Sequence, residues 1–303
     1  MNNIIEEIKK IFDDIISIEC CSRLLHKNIV FKVETKKGLY AVKVYLYGDD
    51  KDFRIDNELK FYIYFNDNNI VNVPNIYNII KTNNINCLVM EWINGSSLKK
   101  IIKNNSDASE YINKMLCDLE KIWSITNLDL KKNLIIDQVG LDKRLGFTDD
   151  EILSYIKNNR NNIDFDNIFD IYKHLKNKIT IDKNHIINSD ISVHECIFVN
   201  DNSYWIDFER FRLGDPNNDL ARCFQSLTNG IYNNNELFKE IYKLFKSNKF
   251  YNEEAFIYYL VEKLLSTIYT ANNQIEDDEI NFYIEFIDNI YNKNNCLKKQ
   301  RLK

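Results

Sequence analysis

N-S-D-I-S-V-H-E-C-I-F-V-N-D-N-S-Y-W-I-D-F-E-R-F-R-L-G-D-P-N-N-D-L-A-R, residues Asn188 to Arg222, is the stretch whose reading decides the fold of this chain. Two short apolar runs, Cys196 to Val199 and Tyr204 to Ile206, flank the turn residues Asn200 to Ser203, which predicts a β-hairpin. One carboxylate stands at each end: Asp190 lies six residues before the first run, and Asp207 directly follows the second. A tight hairpin would carry both acids to one edge of a sheet. Phosphoryl transfer uses such a pair, one carboxylate to accept a hydroxyl proton and another to hold the Mg²⁺ that bridges nucleotide phosphates.

Here the sequence resembles the kinase-like small-molecule phosphotransferases, the group that includes aminoglycoside phosphotransferases and choline kinases. In that family a loop of the form H-G-D-x-x-x-x-N is followed by a hydrophobic strand, a hairpin and an apolar-D-F-E segment. Asp190 matches the catalytic aspartate, W-I-D-F-E places Asp207 on the metal-binding aspartate, and G-D-P-N-N-D-L-A matches the next segment with Asp219. Asn188 stands where the family has His, Ser189 where it has Gly, and Glu195 where it has the metal-binding Asn. The resemblance implies an α+β, two-lobed protein-kinase-like fold. Its small antiparallel-sheet lobe would span residues 1–93 and its mostly helical lobe residues 94–303. It further implies ATP, with GTP as an alternative, and Mg²⁺ held by Asp207 and Glu195.

Outward from the hairpin, Ile15 to Leu25 and Ile29 to Thr35 read as two strands joined by His26-Lys27-Asn28, a connection without the glycine that lets backbone amides approach phosphate oxygens. Leu39 to Leu46, L-Y-A-V-K-V-Y-L, is an apolar strand whose alternation puts Ala41, Lys43 and Tyr45 on one face. Glu58 follows within Asp52 to Phe65, where Ile55, Leu59 and Tyr62 recur at helical spacing. By the resemblance, Lys43 contacts the α- and β-phosphates, Glu58 fixes it through an ion pair, and Ala41 lies above the adenine. Asn86 to Gly95, N-C-L-V-M-E-W-I-N-G, is identified with the family's hinge strand. Met90 would line the rear of the base pocket, and the backbones of Glu91 and Ile93 would face the purine.

Composition bounds the rest. The 303 residues are 45% hydrophobic and 13% aromatic, enough to bury a sizeable core. A net charge of −5 with no basic stripe argues against a nucleic-acid binder and favours cationic or neutral small molecules. Seven cysteines without a C-x-x-C pair give neither a zinc site nor a disulfide framework, which predicts buried thiols in a cytoplasmic protein. The first residues read as a surface helix and not a signal peptide, and no run of eighteen apolar residues predicts a membrane span.

Beyond the hinge, Ser106 or Asp107 would cap a helix running to Ile122-Trp123, where the family has Leu-His. Further helices are expected at Asp149 to Asn159, Asn167 to Lys178, Asn235 to Ser247, Asn252 to Thr270 and Asp277 to Asn292. Glu276 to Glu279 form an acidic patch that suits a helix start or a cationic ligand. The expected activity is transfer of the ATP γ-phosphate to a small-molecule hydroxyl, with an aminoglycoside-type antibiotic as leading acceptor, by a monomer or weak dimer. The alternatives are a neutral or choline-like alcohol as acceptor, or a degenerate nucleotide-binding protein. D-F-E in place of D-F-G, with no A-P-E following, disfavours a protein kinase.

Overall fold

The computed structural model describes residues 2–22, 28–46, 51–82, 85–104, 108–132, 134–271 and 275–301, the side chains of 51–52, 103–104 and 294–301 excepted. His26 and Lys27 of the expected phosphate loop, and the helix caps Ser106 and Asp107, lie outside the described residues. In chain order the elements are α1 (Asn2–Lys9), β1 (Ile15–Cys20), β2 (Asn28–Thr35), β3 (Gly38–Tyr45), α2 (Lys51–Asn68), β4 (Ile76–Lys81), β5 (Asn86–Glu91), β6 (Ser96–Ser97) and α3 (Leu98–Asn104). There follow α4 (Ala108–Trp123), α5 (Leu128–Lys131), α6 (Leu141–Leu145), α7 (Asp149–Asn159), α8 (Asp166–Lys178), β7 (His185–Asn188), β8 (Cys196–Val199) and β9 (Asn202–Trp205). The last are β10 (Phe211–Gly214), α9 (Pro216–Thr228), α10 (Asn235–Lys246), α11 (Glu253–Thr270) and α12 (Asp277–Arg301). They form two compact units, Met1–Ser106 with His194–Phe211, and Asp107–Val193 with Arg212–Lys303. Residues 94–106 and the predicted hairpin therefore belong to the sheet unit.

The first unit is built on an antiparallel sheet in the order β1-β2-β3-β5-β4. Ile8 of α1, Phe31 and Val33 of β2, Val42 and Val44 of β3, and Cys87 and Val89 of β5 share one core. Period-2 alternation sends these side chains to one face and leaves Ala41, Lys43 and Tyr45 on the other. The strand β4 was not foreseen: it is a sheet edge whose side chains are mostly exposed, so it carries no alternation. The hairpin closes through Asn200 and Asp201, whose φ values of 46° and 64° make the two-residue type I′ turn that suits strand twist. It is tied down by the Trp205 amide, which donates to the Asn72 carbonyl at 2.9 Å, and by pairing of β6 with β8. Gly95 is required at that crossing, because a Cβ there would meet the Phe198 carbonyl oxygen and the Ile197 and Val199 side chains.

The second unit is helical apart from β7 and β10. Its centre is α11, buried from Ala255 through Leu265 on nearly every side, as a helix apolar all round should be. Each residue of G-D-P-N-N-D has a structural task. Gly214 admits the Ile187 side chain, Asp215 caps α9 by accepting from the Asn217 amide at 2.9 Å, and Pro216 opens the helix. Asn217 accepts from the Asn252 amide at 2.8 Å, Asn218 donates to Asp137 at 2.7 Å, and Asp219 accepts from the Asn188 amide at 2.9 Å. Cys20 and Cys21, expected to be buried, are exposed at the end of β1. Among the described residues no helix is long and apolar enough to cross a membrane.

Candidate active site

Within the first unit, Ala41, Lys43, Glu58, Met90, Glu91, Ile93, Glu195 and Asp207 line one cavity of about 500 Å³. Lys43 is its electrostatic centre. Its Nζ lies 2.6 Å from Glu58 Oε2, 2.9 Å from Asp207 Oδ1 and 3.5 Å from Glu209 Oε2. The Tyr45 hydroxyl donates to Glu58 from the same face of β3. Burial by itself would lower the lysine pKa, but Asp207 and Glu58 outweigh it and hold the ammonium well above its usual range. Oxygens of Glu58, Asp207 and Glu209 all lie within 4.8 Å of one another, a spacing that suits a metal ion, but the Lys43 ammonium contacts all three and fills that position.

Helix α2 explains why the three acids meet. Positions 54, 57, 58, 61, 62 and 65 form one stripe at helical spacing, and all are buried. The Asn57 amide donates to the Glu209 and Phe211 carbonyls at 3.2 and 3.1 Å, and the Asp207 amide donates to the Tyr62 hydroxyl at 3.2 Å. Phe61 and Phe65 meet Phe211 and Phe208 edge-on, with centroids 4.6 and 5.1 Å apart. This bracing sustains φ = +70° at Asp207, a conformation that a non-glycine residue adopts only where its surroundings impose it. Sequence reasoning foresaw the pairing of Lys43 with Glu58 but assigned no role in the site to Arg54, Asn57, Tyr62 or Glu209. For Arg54 and Asn57 the one signal was the i, i+3, i+4 recurrence through 54, 57 and 58, which polar residues share with any solvated helix face.

Ala41 and Met90 are register partners across β3 and β5, and both are buried beside the cavity. The Glu91 amide donates to the Asn75 carbonyl at 2.9 Å, so a contact from the Glu91 backbone to a ligand falls on its carbonyl. Glu195, half-buried, lines the cavity from the start of the hairpin.

Asp190 belongs to the second unit, in the turn after β7, with 48% of its side chain exposed. The turn is held from beneath by Asp219, whose Oδ2 accepts from the Asn188 amide and, at 3.0 Å, from Trp123 Nε1. Burial pushes the Asp219 carboxyl up to about 7 against those two donors. Arg222 Nη1 lies 3.6 Å from Asp190 Oδ1. The acidic patch is largely taken up within this unit: Asp277 pairs with Arg160 and Asn162, Glu276 accepts from Tyr232 at 3.0 Å, and Glu279 is buried.

The sequence matches no family model and no curated protein. Solved structures do match across nearly the whole chain. Spectinomycin phosphotransferase APH(9)-Ia, crystallised with ADP and spectinomycin, aligns with a TM-score of 0.65 at 14% identity over 93% of both chains. This chain has the kinase-like fold of the small-molecule phosphotransferases. A microcompartment-associated aminopropanol kinase aligns at a TM-score of 0.62 and 11% identity over 96% of this chain and 95% of its own. The ADP-bound aminoglycoside phosphotransferase APH(2'')-Ib aligns at 0.56 and 18% over 94% and 96%. The kinase-like fold thus carries the cavity of Lys43 and Asp207 on its sheet unit and Asp190 on its helical unit.

Proposed function

We propose that this protein is an ATP-dependent kinase that transfers the γ-phosphate to a hydroxyl group of a small molecule. The observation that carries this reading is the buried Lys43–Glu58 pair, with Asp207 at 2.9 Å, in a cavity also lined by the hinge residues Met90, Glu91 and Ile93. In this reading Ala41 and Met90 enclose the base, while the Glu91 carbonyl and the Ile93 amide meet its edge. Lys43, oriented by Glu58, contacts the phosphates, and Asp190 accepts the acceptor's hydroxyl proton. Asp207 and Glu195, two carboxylates that line the same cavity, suit a hard divalent cation such as Mg²⁺. Bound there, Mg²⁺ would neutralise the phosphate charge that the surrounding acids would otherwise repel.

The finer form of the reading has an aminoglycoside-type polycation as acceptor, with a role in antibiotic resistance. Its support is the net charge of −5 and the spectinomycin bound by one structural neighbour. A neutral or choline-like alcohol is the second reading, favoured because Asp277 and Glu276 already have partners in their own unit. ADP formation from Mg·ATP, followed with aminoglycosides, choline, amino alcohols and sugars, separates these readings. A protein that binds Mg·ATP and turns over none of them would count against kinase activity.

A further inference from the structure

Asp190 has cationic neighbours that its role as a proton acceptor does not require. Arg222, one turn beyond Asp219 on α9, has an 11% exposed side chain; its Nε donates to the neutral Asn218 carbonyl oxygen at 3.0 Å, and its Nη1 lies 3.6 Å from Asp190. Lys263, on the neighbouring helix α11, is half-buried, and its ammonium has no hydrogen bond or ion pair among the described residues. It interacts electrostatically with Arg222, Arg144 and Asp190.

The other charges of this region already have partners. Arg144 pairs with Asp137 at 3.0 Å and with Glu262, and Arg212 lies 3.3 Å from Asp137. Glu262 and Asp137 also attract Arg222, but both already pair with Arg144, and Asp190 is the one acid that acts on Lys263. Burial, with Arg222 adding to it, pushes the Lys263 ammonium down to about 8, the mark of a charge held where its surroundings do not compensate it. A site that keeps such a charge gains when an anion arrives.

We propose that Arg222 and Lys263 form a binding site for an anionic oxygen group, phosphoryl or carboxylate, immediately beside Asp190. The inference rests on the kinase reading of Asp190 for its purpose, though not for its chemistry. Arg222 offers a planar fork of donors and Lys263 a point charge, a pairing suited to a group with two or three anionic oxygens. Such a group has two sources: the phosphoryl group in transfer, or a carboxylate or phosphate carried by the acceptor next to its hydroxyl. In the first case the pair stabilises developing charge for any acceptor. In the second it selects acidic alcohols over polycations.

Calorimetric titration of the full-length protein tests the site with defined probes: Mg·ADP, tetrafluoroaluminate added to the Mg·ADP complex, and D-glycerate. Lys263→Met is the test variant and Lys263→Arg the charge-preserving control. Mg·ADP affinity should stay within about twofold in both, because the lysine lies outside the nucleotide cavity. Loss of one charge-assisted contact should weaken anion binding by about tenfold or more, with Lys263→Arg recovering most of it. Weaker tetrafluoroaluminate binding identifies the transferring phosphoryl group, and weaker D-glycerate binding identifies an acidic acceptor. The proposal is overturned if neither anion binds the wild type, or if both bind Lys263→Met as tightly as wild type. Failure of the kinase reading looks different: the wild type would then fail to bind Mg·ADP.

Discussion

The Asn28 side-chain amide donates to the Glu209 carboxylate at 2.5 Å, joining the first residue of β2 to the residue two positions beyond Asp207. Arg54 completes the contact, donating to Asn28 Oδ1 at 2.8 Å and lying 3.6 Å from Glu209. The end of the β1–β2 connection, where the sequence lacks glycine, is therefore clamped to the segment that carries Asp207. Glu209→Gln keeps an acceptor for Asn28 but removes the charge facing Arg54 and Lys43. The expected cost is about 1–3 kcal/mol of stability, read by urea unfolding, with KM for ATP rising more than kcat falls. An unchanged KM would show that the clamp has no bearing on the nucleotide.

Lys43 is expected to matter for folding as well as for ATP, because Glu58 has no exposed side-chain surface and Glu209 only 7%. Lys43→Met leaves both acids facing no ammonium and should cost about 3–5 kcal/mol. The double variant Lys43→Met/Glu58→Gln should regain much of that stability while remaining inactive. Recovery of activity along with stability would show that the lysine serves only the fold.

Asp190 and Asp207 are expected to fail differently. Asp190→Asn should leave Mg·ATP binding nearly intact and lower turnover by about two to four orders of magnitude. Asp207→Asn should weaken Mg²⁺-dependent nucleotide binding itself. Equal and complete loss of nucleotide binding in both would remove the division of roles.

Glu195 is expected to be a metal ligand. Replacement by Asn exchanges one carboxylate for a neutral carbonyl oxygen, so Glu195→Asn should preserve turnover while raising the Mg²⁺ concentration needed for half-maximal rate. A rate and Mg²⁺ dependence identical to wild type would place Glu195 outside the metal's reach.

Asp219 sets a pH dependence of stability. Its carboxyl is raised to about 7 in the fold, above the unfolded value of 3.8, so the folded state binds the extra proton between those values. Stability should therefore fall as pH rises from about 4 to 7 and level off above, each pKa unit being worth about 1.4 kcal/mol. Asp219→Asn should flatten that slope in melting curves. A slope unchanged by the substitution would assign it to other groups.

The hairpin, the lysine strand and the helices α7, α8, α10, α11 and α12 were legible because apolar periodicity and turn chemistry speak locally. Thr148 and Glu151 cap α7 reciprocally at the predicted start, and β8 falls on the predicted residues. What the sequence hid was polar. Arg54, Asn57 and Glu209 look like solvated side chains in a chain rich in Asn, Lys and Asp, yet each is buried by partners distant in sequence. The stripe facing Asp207 runs through 54, 57, 58, 61, 62 and 65, so Leu59, read at helical spacing with Ile55 and Tyr62, is only partly covered. The edge strand β4 left no pattern because its side chains meet water.

The return of His194–Phe211 to the sheet unit has a consequence for biosynthesis. When residue 106 leaves the ribosome, α2 has yet to meet Phe208 and Phe211, the rings that cover Phe61 and Phe65 in the finished protein. Those partners emerge roughly a hundred residues later, about 5–20 s at ordinary elongation rates. Through that interval the nascent chain carries an uncovered aromatic helix face, so the first unit cannot close until residues 107–193 of the second have been translated, and chaperone demand should peak before Phe211 emerges.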